Sequence, residues 1–184
     1  DGALENPYLY YRNHEKIFCH CFSVQEIASA DISFDAKKGD LGIGLKTFLF
    51  RTSGPLEKIA EFNNDSKELR KLEKKPLKLI KRVSELRNKR LESHKKEYSI
   101  SRSIYHCIIK DSGQFILHEE NLIPIDISTI KQEKRKNKNI FPFSDKNNKY
   151  SFNLSKSTLF KRFKLDPKKS ILIPIQIHPD PFSI

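Results

Sequence analysis

Two neighbouring stretches of the chain, ISFDA and LGIGLK, alternate apolar residues with polar residues or glycine on either side of a polar turn at residues 37 to 40, and the second runs on into the apolar TFLF. Period-two patterning on both sides of a Gly-Asp turn predicts a β-hairpin. Just before it, SVQEIASAD offers Ser23 as an N-cap with Glu26 three residues on, a capping-box spacing that predicts a short helix. Gly54-Pro55 ends the hairpin, and residues 56 to 98 take on helical spacing. Leu56, Ile59, Ala60 and Phe62 would form one apolar face, NNDS a break and new cap, and Pro76 the first turn of a second helix striped by Leu79, Val83 and Leu86.

SIYHCIIK and QFILHEENLIPIDI read as strands joined through Asp111-Ser112-Gly113. Residues 131 to 139 read as a charged loop or disordered run, and SFNLSKSTLFKRF predicts a strand running into a short basic helix capped by Ser155 or Ser157. SILIPIQIHPDPF closes the chain as a strand whose Pro174 suits an edge. The first 22 residues are rich in aromatics and carry no period that assigns them to helix or strand. The order of elements predicts an α/β or α+β fold class.

Composition adds a direction. The 184 residues suffice for a single domain with a proper core, and 35 Lys and Arg against 23 Asp and Glu leave a net charge of +12. Such an excess favours phosphate-rich partners. Absence of Met suggests a processed chain or a piece of a longer protein. The three cysteines, Cys19, Cys21 and Cys107, make no disulfide framework, so a reducing cytoplasm is expected. Apolar runs such as residues 171 to 177 are too short to span a bilayer, so no membrane role is expected.

The hairpin also carries candidate chemistry. Magnesium-dependent phosphodiester cleavage needs hard oxygen ligands and a cation near the attacking water and the scissile phosphate. Asp35 ends the first apolar run and Lys46 lies in the second. Residues 44 and 46 share a strand face, Leu45 can offer a backbone carbonyl, and Glu26 could add a carboxylate.

The helix, SFDA, turn and GIGLKTF order resembles the PD-(D/E)xK nuclease superfamily, which includes many type II restriction endonucleases; DLGIGLKT is also similar to the LGVELKT type of segment in mismatch-repair nicking enzymes. The resemblance covers residues 23 to 50. It implies one nuclease-like domain over residues 1–184, with a restriction-endonuclease-like mixed β-sheet core flanked by helices and a DNA-contacting subregion at 140–184. It further implies a Mg2+-dependent endonuclease of restriction type acting on double-stranded DNA as a homodimer. In that scheme Asp35, Lys46, Glu61 and Glu26 are catalytic, and Asp35, Leu45 and Glu61 hold Mg2+.

Two positions depart from the family pattern: Phe34 stands where proline precedes the acid, and Gly44 where the second acid belongs. The acid could be supplied by Glu57 or Glu61, with Glu61 preferred, or by Asp40 in a bent hairpin. Otherwise the domain is a non-catalytic DNA-binding module on a decayed nuclease fold. A basic RNA-binding protein using its aromatics and lysines is the third alternative.

Other motifs are less informative. CHCF has one residue between its cysteines rather than the usual two of zinc frameworks, and alternate strand positions account for it. His106 suits a half-buried strand histidine. Lys81, Arg82, Arg87, Lys89 and Arg90 could track a phosphate backbone or form a solvated helix face. Ser155, Lys156, Ser157, Lys161 and Arg162 at the expected helix start suit phosphate contacts equally well as a surface cap.

Overall fold

The computed structural model describes residues 7, 9–27, 32–135 and 137–176. Along the chain run α1 (Tyr11–Phe22), β1 (Gln25–Glu26), β2 (Ala36–Lys38), β3 (Leu41–Leu49), β4 (Leu56–Glu61), α2 (Ser66–Lys71), α3 (Pro76–Glu97), β5 (Arg102–Asp111) and β6 (Gln114–Asn121). There follow β7 (Lys131–Gln132), β8 (Ile140–Ser144), β9 (Lys149–Asn153), β10 (Thr158–Arg162) and β11 (Ser170–Pro174). Six strands form a mixed sheet in the order β1-β2-β3-β5-β6-β11, and five form an antiparallel sheet in the order β4-β10-β9-β8-β7. The coarse class, mixed α and β, is the expected one.

The β2–β3 hairpin turns at Gly39, whose φ of 57° suits a residue without a side chain. From the hairpin the chain passes through β4 and α3 and returns in β5, which lies parallel to β3 over nine registered pairs from Leu41↔Arg102 to Leu49↔Lys110. α3 opens on Pro76, where the missing N–H costs nothing, and buries Leu79, Ile80, Val83, Arg87 and Leu91 along one side. Its first half packs with Phe141, Phe143, Phe152 and Leu159 of the second sheet, whereas Leu91 joins Phe48, Tyr105 and Ile109 of the first. Each fully buried phenylalanine contributes about 1.5–3 kcal/mol relative to exposure. The opposite face of the mixed sheet is covered by α1, where Phe18 packs with Ile43 and Leu45.

Several sequence-based expectations are corrected. Ser23 does not start a helix: it ends α1 in the left-handed region at φ 49°, and Glu26 lies in β1. The remainder of the expected helix, residues 28 to 31, lies outside the described residues. Cys19 and Cys21 sit on α1 rather than at alternate strand positions. Residues 56 to 61 form an edge strand, because β10 offers a ladder that propensity cannot anticipate. SKSTLFKRF is no helix either. Residues 154 to 157 form a turn, with Ser157 at φ 48°, that folds β10 back onto β9. The strand expected at ISFDA begins only at Ala36, although the Asp35 amide already donates to the Ile43 carbonyl at 2.8 Å. Pro174 does lie in an edge strand, β11. Residues 140 to 162 belong to the second sheet and residues 170 to 174 to the first.

Close packing on β3 is directly testable. A Cβ on Gly42 would lie 2.8 Å from both Ile100 and the buried Phe34 ring. Gly42→Ala is therefore expected to cost about 1–3 kcal/mol by overpacking, read from the midpoint of urea unfolding.

Candidate active site

β3 is an interior strand, so alternation divides its side chains between two covered faces. Leu45 and Thr47 point toward α1, where Thr47 Oγ1 lies 2.8 Å from His14 Nδ1. Gly44 and Lys46 point the other way, toward α3 and the second sheet. Register places Lys46 beside Cys107 and then His118, and Tyr105 beside Glu120, on that same face.

The second sheet supplies groups to meet them. Lys161 is buried and bonds Glu120 across the gap between the sheets. Glu57 is the registered partner of Lys161 on the neighbouring strand, so both project from one face. Four residues along β4, Glu61 should share that face. It does not, because the register slips between Leu159 and Phe160 and leaves Ile59 as an extra residue. The bulge puts Glu57 on the face of Lys161, while Glu61 holds the exposed Lys58 ammonium at 2.9 Å and still borders the cavity that Lys46 lines.

Asp35 stands just before β2, half-buried at the open edge of β3. Its Oδ2 accepts the Leu45 amide at 2.6 Å. Burial raises its pKa; the Lys46 ammonium and that amide oppose the shift. Glu57 behaves alike, raised by burial and held back by Lys46, Arg51 and Lys110. A third acid, Glu15 on α1, is raised by burial and by the nearby Asp35 and Glu26, with Lys46 opposing. Lys46 is thus the common cation of three partly desolvated carboxylates. Glu26 is exposed at the rim of this group.

Glu15 escaped the sequence reading because α1 itself did. The His14–Phe18 spacing of four residues, both buried, was the available signal. His14 is held down to about 4 by burial and by the adjacent His106, so α1 docks with a neutral imidazole.

Gly44 has a physical explanation. Its Cβ would meet the Tyr105 ring at 3.0 Å and Leu122 at 3.2 Å. A carboxylate at this position would be driven into apolar packing, whereas Glu57 lies in the field of Lys46 from the opposing sheet. Asp40 is remote from this arrangement, engaged at the far turn with Ser101 and Arg102.

The donor set admits a small hard cation. Among the described residues no group of three His, Cys, Asp or Glu forms a ready cage. Magnesium needs only one or two carboxylates, the remaining positions going to water and phosphate oxygens. Asp35 meets that need, and the Leu45 carbonyl leaves the strand on the same edge as the amide that Asp35 accepts.

The basic positions divide. Lys81, Ser155 and Lys156 are exposed. Arg82 is engaged by Glu68 at 2.7 Å, and Arg162 donates to the carbonyls of Ser53 and Gly54. Lys161 and Ser157 are buried. Arg87 and Arg90 border a cavity that Lys46 also lines. Among the described residues no helix is long and apolar enough to cross a membrane. No protein-family model, curated protein or solved structure matches this chain.

The raised pKa of Asp35 fixes the sign of one outcome. A carboxyl whose folded-state pKa lies above the unfolded value favours the fold while protonated and loses that contribution as pH rises through the ordinary carboxylate range. Asp35→Asn keeps an oxygen for the Leu45 amide and removes the desolvated charge. Its melting temperature should exceed that of the wild type at neutral pH, with the difference disappearing in acid.

Proposed function

We propose that the chain is a magnesium-dependent DNA endonuclease domain of restriction type, hydrolysing phosphodiester bonds. The observation that carries this reading is that half-buried Asp35 on the hairpin and Glu57 on the second sheet both lie in the field of the Lys46 ammonium, which opposes the rise that burial gives each. The mixed sheet with helices on both faces and the parallel return of β5 beside β3 agree with the restriction-endonuclease-like core expected from GIGLKTF.

In this mechanism Asp35, the Leu45 carbonyl and Glu57 would hold the cation. When bound, the metal supplies Lewis-acid stabilisation of charge on the phosphate and makes a coordinated water more acidic. Lys46 orients the attacking water and neutralises charge that builds on the phosphate oxygens. Its ammonium also opposes the rise that burial imposes on the Asp35 and Glu57 carboxyls, which favours their ionised forms as oxygen ligands. Exposed Lys81 and Lys156 would contact the DNA backbone, and a homodimer would place one site on each strand.

Lys46→Ala should lower plasmid cleavage by about 10²–10⁴-fold while duplex binding in EDTA changes little. Purified protein that nicks no plasmid with magnesium, methylated or unmethylated, would sink the nuclease assignment.

The bulge in β4 separates the two candidate second acids. Glu57→Gln is expected to impair cleavage far more than Glu61→Gln. The opposite ranking would place the second acid at Glu61.

A further inference from the structure

Arg87 and Arg90, one turn apart on α3, border a cavity of about 170 Å³ together with Lys46, Lys58, Glu61 and Ile59. Arg87 is only 5% exposed. Its Nη2 lies 3.4 Å from the Tyr105 hydroxyl, and its Nη1 is shut away from solvent without a hydrogen-bond partner among the described residues. Burying a guanidinium is costly unless an anion accepts its donors. The one carboxylate that borders the cavity, Glu61, is committed to Lys58. Arg90 rests over the Phe62 ring, 5.2 Å from its centroid, which orients its guanidinium at the cavity wall.

Four cations therefore surround a space bordered by a single acid, and that acid is already paired. A tetrahedral oxyanion suits this lining, since two guanidiniums and an ammonium can share its oxygens. We propose that the cavity is a phosphate-binding pocket in which Arg87 and Arg90 are the binding residues. The phosphate it holds belongs to the backbone of the nucleic acid on which Lys46 acts. This last assignment rests on the nuclease reading, whereas phosphate binding itself does not.

The decisive measurement is the melting temperature of the whole chain with millimolar inorganic phosphate, against chloride at equal ionic strength and without magnesium. Phosphate should stabilise the wild type. In Arg87→Met, which removes the unpaired charge but retains much of the side-chain volume, that increment should vanish without loss of stability in chloride. Arg90→Gln, closer to the surface, should weaken phosphate affinity by about thirtyfold. The proposal is overturned if phosphate fails to stabilise the wild type beyond chloride, or if both variants retain the increment.

Duplex DNA binding in EDTA distinguishes the two layers. Weakening of DNA binding by the same two substitutions assigns the phosphate to a nucleic-acid backbone. Phosphate stabilisation with unaltered DNA binding keeps the pocket, assigns it to a free phosphate compound and overturns its place in the nuclease site.

Discussion

The parallel pairing of β3 with β5 is the constraint on which the remainder depends. It locks nine consecutive residues of β3 into register and leaves neither face of the strand open, because α1 covers one and α3 with the second sheet covers the other. A strand enclosed in this way has a prescribed environment for each side chain. Gly42 and Gly44 are where neighbouring side chains press closest to the backbone, and Lys46 is where the enclosed face becomes polar. A one-residue slip would carry Lys46 to the side of α1 and bring Leu45 into the gap between the sheets.

That gap is unusual in being partly ionic. Lys46, Glu57, Glu120 and Lys161 occupy the space between two sheets that elsewhere meet through phenylalanines and leucines. Burial penalises every ion placed there, and the protein compensates by arranging opposite charges across the gap. The cost is visible in the raised carboxyls of Asp35 and Glu57, which Lys46 only partly restores.

The hairpin and its two marked residues were legible because they are local. Strand alternation, a Gly-Asp turn and the distance from Asp35 to Lys46 are properties of eighteen consecutive residues. α3 was legible for the same reason, with proline at its start and a stripe at helical spacing. β4 and β10 were not. LEKIAE and SKSTLFKRF have helical apolar spacing, and only their pairing with each other makes them strands. α1 was hidden by aromatics and cysteines that obscure its stripe, and Glu15 was hidden along with it.

Sequence alone determined the elements whose order is local: the turn at Gly39, the strand that carries Lys46, the proline-led helix and the excess of positive charge. Tertiary structure decided which side chains share the face of the lysine. Gly44 could not be read as a packing requirement until Tyr105 and Leu122 were seen against it, more than sixty positions along the chain. The placing of Glu57 and Glu61 on different faces of β4 came from one extra residue in a ladder with β10, a hundred positions away. Side-chain direction in a strand depends on register, and register between distant segments is a property of the folded sheet rather than of either segment by itself.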